Sequence, residues 1–226
     1  HAIELAKKGL GWTNPNPMVG AVIVKDGKII GEGYHKKYGE LHAETSALNN
    51  CTKSPEGATI YVTLEPCCHH GKQPPCTEAI IKAGIKRVVI GSLDPNPLVS
   101  GKGIQILREH NIQVDNKLVC NRECIDMNYV FFHYIKEKLP YVIVKYAQTL
   151  DGKIATHNGL SKWITGEAAR ENVHMDRHRY SAIMVGINTV LKDDPMLNCR
   201  SKAIENPHQP VRIVCDTKLR IPYDSK

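Results

Sequence analysis

Long hydrophobic runs are missing from this 226-residue chain: no window approaches 18 consecutive apolar residues, so no membrane span is expected. The first 25 residues lack a basic start followed by an apolar stretch, so no secretory leader is read there. Aromatics are scarce at 6%, with 2 Phe and 2 Trp, and no basic block stands out. A nucleic-acid partner, which would want a basic, aromatic-lined face, is therefore not expected. Internal repeats and low-complexity tracts are absent as well, which argues against solenoids and fibrous folds.

What remains is an ordinary globular composition, 42% hydrophobic and 23% charged, with 17 Gly and 13 Pro. Eight cysteines without a leader are too few for a disulfide scaffold; reduced thiols and metal binding are the expectation, in a soluble, cytoplasmic protein. The net charge of +7 divides as +3 over residues 1–138 and +4 over 139–226. So even a spread suits phosphorylated small molecules or an anionic cofactor better than a duplex. The chain starts at His1 inside a helix-like stretch, and both ends read as cut.

Residues 18–35 hold two strand-like runs around Asp26-Gly27, a hairpin turn signal. A helix is expected over 42–49, a buried strand over 58–64, a helix over 77–83 and a strand over 87–92. A helix near 104–109 and a helix-like stretch over 118–138 complete an α/β layered domain with a partly parallel sheet, placing a boundary before Leu139-Pro140. Beyond it, strands are expected over 141–147, 181–186 and 211–216, with a turn at Asp151-Gly152 and a helix over about 167–179. Three strands in about 88 residues read as the opening of a larger α/β domain.

The chemistry sits in two short segments. His42-Ala43-Glu44 begins a helix, and Pro66-Cys67-Cys68-His69-His70-Gly71-Lys72-Gln73-Pro74-Pro75-Cys76 follows a strand. Together they resemble the zinc deaminase signature, H-x-E followed by P-C-x-x-C. One imidazole and two thiolates can hold Zn²⁺ with a fourth position open to an acidified water, and a nearby glutamate that is not a ligand can move protons. The generic motif puts its second thiol at position 70, where this chain has His70. The Pro74-Pro75 loop can return Cys76 to the metal at a helix start, where the dipole favours a thiolate, so the ligand set reads His42, Cys67 and Cys76 with Glu44 catalytic.

HAE, EPC followed by HHGKQPPC, the upstream NPNPMVGAVIVKDG and the DPNP at 94–97 resemble the bifunctional riboflavin-biosynthesis deaminase/reductase family. The longer thiol spacing is that family's pattern, and the resemblance spans nearly the whole chain. It implies a cytidine-deaminase-like domain over 1–138 and, over 139–226, the N-terminal part of a dihydrofolate-reductase-like domain using NADPH. The implied substrate is a diaminopyrimidinone carrying a ribosylamino 5-phosphate, deaminated first and then reduced from ribosyl to ribityl. The resemblance also implies homo-oligomers.

By the same resemblance Asn16, His35, His69, Lys72, Asp94 and Asn96 fall at deaminase substrate positions. Ala147, Trp163, Thr189, Asp193 and Thr217 fall at NADPH positions, and Ser161, Arg177, Leu197 and Arg200 at reductase substrate positions. Cys51, Cys68, Cys120, Cys124, Cys199 and Cys215 are assigned no function.

Plainer readings stand beside these. Cys68 or His70 could close a purely structural zinc site, leaving Glu44 idle. Trp163 could be a packing anchor, and Asp193-Asp194-Pro195 could simply end a helix. A deaminase of free cytosine nucleosides or of tRNA adenosine shares the zinc chemistry, and a zinc-stabilised binding module is the non-enzymatic rival.

Overall fold

The computed structural model describes residues 1–116 and 120–226, and it divides into two compact units, His1–Tyr141 and Val142–Lys226. The expected helical stretch from Leu118 begins outside the described residues; the remainder forms two helices, Asn121–Met127 and Tyr129–Glu137.

The first unit opens with α1 (Ala2–Lys7), β1 (Gly20–Lys25) and β2 (Lys28–Tyr34). β1 and β2 form the expected antiparallel hairpin, Lys25 opposite Lys28, with Asp26 at φ 50° and Gly27 at φ 71°. Positive φ at both central residues gives the turn a twist that matches the strands. α2 (Ala43–Asn49), β3 (Thr59–Val62), α3 (Cys76–Lys82), β4 (Arg87–Ile90), α4 (Lys102–Glu109) and β5 (Gln113–Asp115) follow, then α5 (Asn121–Met127) and α6 (Tyr129–Glu137). The sheet order is β2-β1-β3-β4-β5, with β1 antiparallel to β2 and β3, and β3, β4 and β5 mutually parallel.

Ile23, Ile60, Val88 and Ile90 from the central strands are completely buried with Ala43, Ala47, Ile80 and Leu107 from the helices. Helix α2 lies directly on β2: a Cβ at Gly33 would sit 2.3 Å from the Ala47 nitrogen, and one at Gly31 2.5 Å from the Ala47 oxygen. Only glycine permits that approach, and it brings the helix start bearing His42 and Glu44 down to the sheet. Because β3 and β4 are parallel, the loops after both open at the same end, where α/β sheets commonly bind ligands.

β5 was not expected. Gln113-Val114-Asp115 carries no apolar run, and its strand character comes from the β4 ladder and the 2.7 Å bond from Arg87 Nη2 to Asp115 Oδ2.

The second unit contains α7 (Glu167–Arg179), β6 (Ala182–Gly186), α8 (Ile187–Asp193) and β7 (Val211–Cys215), with β6 and β7 parallel. α7 falls where its helix formers place it. α8 was not read as a helix, although the alternative that Asp193-Asp194 ends one is met: Asp194 takes φ 39° at its C-cap.

The expected strand over 141–147 is corrected. The segment forms none, and Val142 and Val144 are 76% and 80% exposed. An apolar run becomes a strand only by pairing, and among the described residues nothing pairs with it. The Asp151 turn does form, Gly152 N–H donating to the Thr149 carbonyl at 2.9 Å.

Candidate active site and metal centre

His42 caps α2 in extended backbone, φ −70° and ψ 161°, so its ring leaves the helix axis as Ala43 and Glu44 enter the first turn. Cys67 follows the end of β3, and Cys76 is the first residue of α3 after Pro75. The His42, Cys67 and Cys76 ligand atoms all lie within 4.8 Å of one another. Cys67 Sγ is 3.5 Å from His42 Nδ1 and Cys76 Sγ is 3.3 Å from it. Tetrahedral zinc, with bonds of about 2.3 Å to sulfur and about 2.1 Å to nitrogen, separates such donors by about 3.6 Å, so the set fits zinc.

Cys76 N–H donates to Cys67 Sγ at 3.3 Å. The start of α3 therefore also serves Cys67. Hydrogen bonding from the Cys76 thiol, and then from His42, holds Cys67 down to about 4. The same bond to the Cys67 thiolate, with burial, pushes the Cys76 thiol well up. His42 is raised by its bond to Cys67.

Neither alternative fourth ligand joins the group. Cys68 Sγ turns to the Leu98 carbonyl at 3.7 Å, and the His70 ring lies 3.5 Å from Glu78 with its side chain 75% exposed.

Glu44 is 4% exposed, and its carboxyl is pushed up to about 7, first by burial and then by the Cys67 thiolate. It lines a cavity of about 270 Å³ together with His42, Cys67 and all six sequence-derived substrate positions, Asn16, His35, His69, Lys72, Asp94 and Asn96. Cys76 lies behind the wall, fully buried.

His35 donates from Nδ1 to the Leu41 carbonyl at 3.0 Å, which leaves Nε2 to accept from Asn16 Nδ2 at 3.3 Å. Burial holds this imidazole below its ordinary range, so the neutral ring is favoured. Lys72 Nζ sits 4.0 Å from the centre of the Tyr38 ring, a cation–π contact at the cavity edge. Burial pushes the Asp94 carboxyl up to about 6, while its bond from the Asn96 N–H, 2.8 Å, works against that.

Sequence reasoning missed several residues here. Tyr38, Gln73 and Phe131 also line the cavity. Asn128 bonds both the Met18 N–H and the Met18 carbonyl at 2.8 Å, pinning the segment next to Asn16. Glu65 was quoted within EPC and given no role; a buried acid ending an apolar strand was the available signal.

In the second unit, Arg177 and Arg200 come together. Arg177 Nη1 donates to the Asn198 carbonyl at 3.2 Å, and Arg200 bonds the Asn198 side chain. His174 Nδ1 accepts the Arg200 N–H at 3.1 Å, and burial with the two guanidiniums holds this ring below its ordinary range. Leu197 is buried beside them at φ 53°.

The other positions are on separate segments. Ser161 and Trp163 precede α7, Thr189 and Asp193 are exposed on α8, Thr217 follows β7, and Ala147 lies in the strandless stretch. Trp163 is no packing anchor, being 72% exposed with the Arg170 guanidinium 4.4 Å from its ring centre.

A part-parallel sheet that brings one His and one buried Glu from a helix start together with two Cys, one after a strand and one at a second helix start, has the arrangement of a zinc-binding site of the cytidine deaminase class. Residues 1–92 match the family model described as the cytidine and deoxycytidylate deaminase zinc-binding region, and residues 140–226 match the RibD C-terminal domain. The riboflavin biosynthesis protein RibD of Actinobacillus pleuropneumoniae is 60% identical over 99% of this chain and 58% of its own length. The crystal structure of a diaminohydroxyphosphoribosylaminopyrimidine deaminase/5-amino-6-(5-phosphoribosylamino)uracil reductase from Thermotoga maritima is 53% identical with TM-score 0.89, over 96% of this chain and 61% of that one. Acinetobacter baumannii RibD is 47% identical with TM-score 0.93, over 100% of this chain and 64% of that one. The chain is similar to the riboflavin-biosynthesis RibD proteins over nearly its whole length, and it spans about 60% of the length of these relatives.

Proposed function

We propose that residues 1–138 form a zinc-dependent deaminase of 2,5-diamino-6-ribosylamino-4(3H)-pyrimidinone 5′-phosphate, and that residues 139–226 belong to an NADPH-dependent reductase acting on its product. The observation that carries the first half is convergence: two of the three metal donors, a buried carboxylate and six polar substrate positions line one cavity, with the third donor, Cys76, buried within 4.8 Å of the other two. His42, Cys67 and Cys76 would hold zinc, which supplies an acidified water to the amine-bearing carbon.

Glu44 stands beside the donor set, enclosed by burial, so a proton it takes from water stays in the site. It delivers that proton to the ring nitrogen, and a second transfer lets the amine leave as ammonia. Asn16 and the Asp94-Asn96 turn offer donors and acceptors to the pyrimidine edge, while His69 and Lys72 meet the phosphate.

For the reductase half, the paired Arg177 and Arg200 support a sugar-phosphate subsite completed by Ser161 and Leu197. Ala147, Trp163, Thr189, Asp193 and Thr217 are its NADPH positions by family resemblance. The eight free cysteines support a reducing, cytoplasmic setting, and the resemblance supports homo-oligomers.

The test is ammonia release and zinc content of the purified chain with the phosphorylated diaminopyrimidine, with and without NADPH. Ammonia at about one zinc per chain supports the deaminase; zinc without ammonia supports a binding module instead. Glu44→Gln is expected to keep zinc and lose about 10³-fold or more in turnover. A fully active Glu44→Gln chain removes the role given to that residue.

A further inference from the structure

Glu65 ends the apolar run of β3 at 3% exposure, two residues before Cys67. A carboxylate so placed must satisfy its oxygens internally or be strongly destabilising. Its Oε2 accepts the Asp94 N–H at 3.4 Å and the Gly101 N–H at 3.1 Å, and its Oε1 accepts the Ile104 N–H at 3.3 Å. Its own N–H donates to the Ser92 carbonyl at 2.9 Å.

Each partner belongs to the segment between β4 and the first turn of α4. Gly101 and Ile104 bracket the N-terminus of that eight-residue helix, where unpaired N–H groups and the dipole favour an anion. Gly103 completes the fit, since a Cβ there would stand 2.4 Å from the Pro66 carbonyl oxygen and 3.2 Å from Glu65 Oε1. One side chain between β3 and Cys67 therefore fastens both ends of the loop 94–101.

That loop carries Asp94 and Asn96 to the cavity wall. Its own turns are local: Asp94 Oδ1 takes the Asn96 N–H at 2.8 Å, and Asn96 Oδ1 takes the Leu98 N–H at 3.1 Å. These shape the loop without fixing its distance from the metal donors. Glu65 links the two through the Asp94 N–H and the short step to Cys67, and the longer contact from Cys68 Sγ to the Leu98 carbonyl, 3.7 Å, reaches only the outer part of the loop.

We propose that Glu65 is a positioning residue for substrate recognition: it sets Asp94 and Asn96 at a fixed height above the His42, Cys67 and Cys76 group. The kinetic arm of the test rests on the deaminase reading above, and the exchange arm does not.

The experiment compares wild type, Glu65→Gln and Glu65→Ala in the full chain, by zinc content, by kcat and KM for ammonia release, and by amide hydrogen exchange. Glu65→Gln has nearly the same shape and keeps one oxygen acceptor, so it reports on positioning even if Glu65→Ala does not fold. Glu65→Gln is expected to keep zinc at wild-type stoichiometry, raise KM about 10-fold and change kcat less than about 3-fold. The Asp94, Gly101 and Ile104 amides should exchange faster, with the central strands unchanged.

Unchanged KM and unchanged exchange in Glu65→Gln overturn the proposal. So does a loss of zinc and of protection throughout the first unit, which would make Glu65 a general structural residue. If wild type releases no ammonia, the deaminase reading fails, and selective exchange at those three amides still decides whether Glu65 positions the loop.

Discussion

The two units hold similar sequence material and use it differently. In the first, β1, β3 and β4 bury Ile23, Ile60, Val88 and Ile90 completely, and the loops at their ends converge on one cavity. In the second, β6 and β7 hold only exposed and half-buried residues; Met184 and Val211 are 61% and 66% exposed. Both have apolar β-branched runs, so hydrophobicity does not separate them. What separates them is enclosure: the first sheet has helices packed on it through glycine contacts, and its site inherits that rigidity.

The largest expected effect on this contrast comes from the donor set. Cys76→Ala removes a thiol at the start of α3 that is fully buried and shared with His42 and Cys67. Zinc content should fall to near zero and ammonia release with it, while the Arg177 and Arg200 pairing in the second unit has no part in the loss. Metal analysis with an activity assay checks this; a Cys76→Ala chain that retains stoichiometric zinc would return Cys68 or His70 to the ligand set.

Next in size is a matched pair of core truncations. Ile60 is fully buried on β3, whereas Ile213 on β7 is 36% exposed. Ile60→Ala should cost about 2–5 kcal/mol by cavity formation, and Ile213→Ala less than about 1 kcal/mol. Denaturant unfolding followed separately for each unit measures both. Equal losses would mean that β7 is as enclosed as β3, and the contrast would collapse.

Legibility from sequence followed the same line. The hairpin at Asp26-Gly27, the helix at 167–179 and the parallel strand run 58–64 to 87–92 depend on short-range signals, and the structure has them. The 141–147 segment failed because apolar alternation states only that a strand could form, while a ladder requires a partner elsewhere in the chain. β5 failed for the opposite reason: three polar-looking residues become a strand because β4 offers an edge and Arg87 offers a charge.

In the site, His42, Glu44 and Cys67 stood out by motif spacing, while Cys76, beyond the generic spacing, was read from the Pro74-Pro75 loop and the family pattern. The substrate positions came from family resemblance. Glu65 showed only as an acid at the end of an apolar run, and Asn128 not at all, because bonds to distant backbone leave no local motif for the role.

A smaller effect concerns Asp94. Its carboxyl is pushed up to about 6 in the folded chain against an ordinary 3.8, chiefly by burial. The folded state therefore holds this proton more tightly than the unfolded state, and the contribution to stability is fully present below pH 3.8 and lost as pH rises through about 6. In chelator-treated protein, Asp94→Asn should remove this component. The difference in Tm between Asp94→Asn and wild type should then grow in favour of the variant from pH 4 to 7. A difference that stays flat over that range would mean Asp94 is more solvated than its 8% exposure implies.

The smallest effect tests enclosure without touching the site. Cys120 and Cys215 are exposed, one in each unit, while Cys124 is 1% exposed and its thiol is pushed up to about 11 by burial, with Cys120 and Glu123 adding to it. The thiolate is the reactive form, so burial slows Cys124 twice, by access and by protonation. Under brief alkylation at pH 8, peptide mass mapping should find Cys120 and Cys215 modified well before Cys124, despite Cys120 and Cys124 standing one helical turn apart. A Cys124 that reacts as fast as Cys120 would show that α5 opens readily, and the enclosure credited to the first unit would end before that helix.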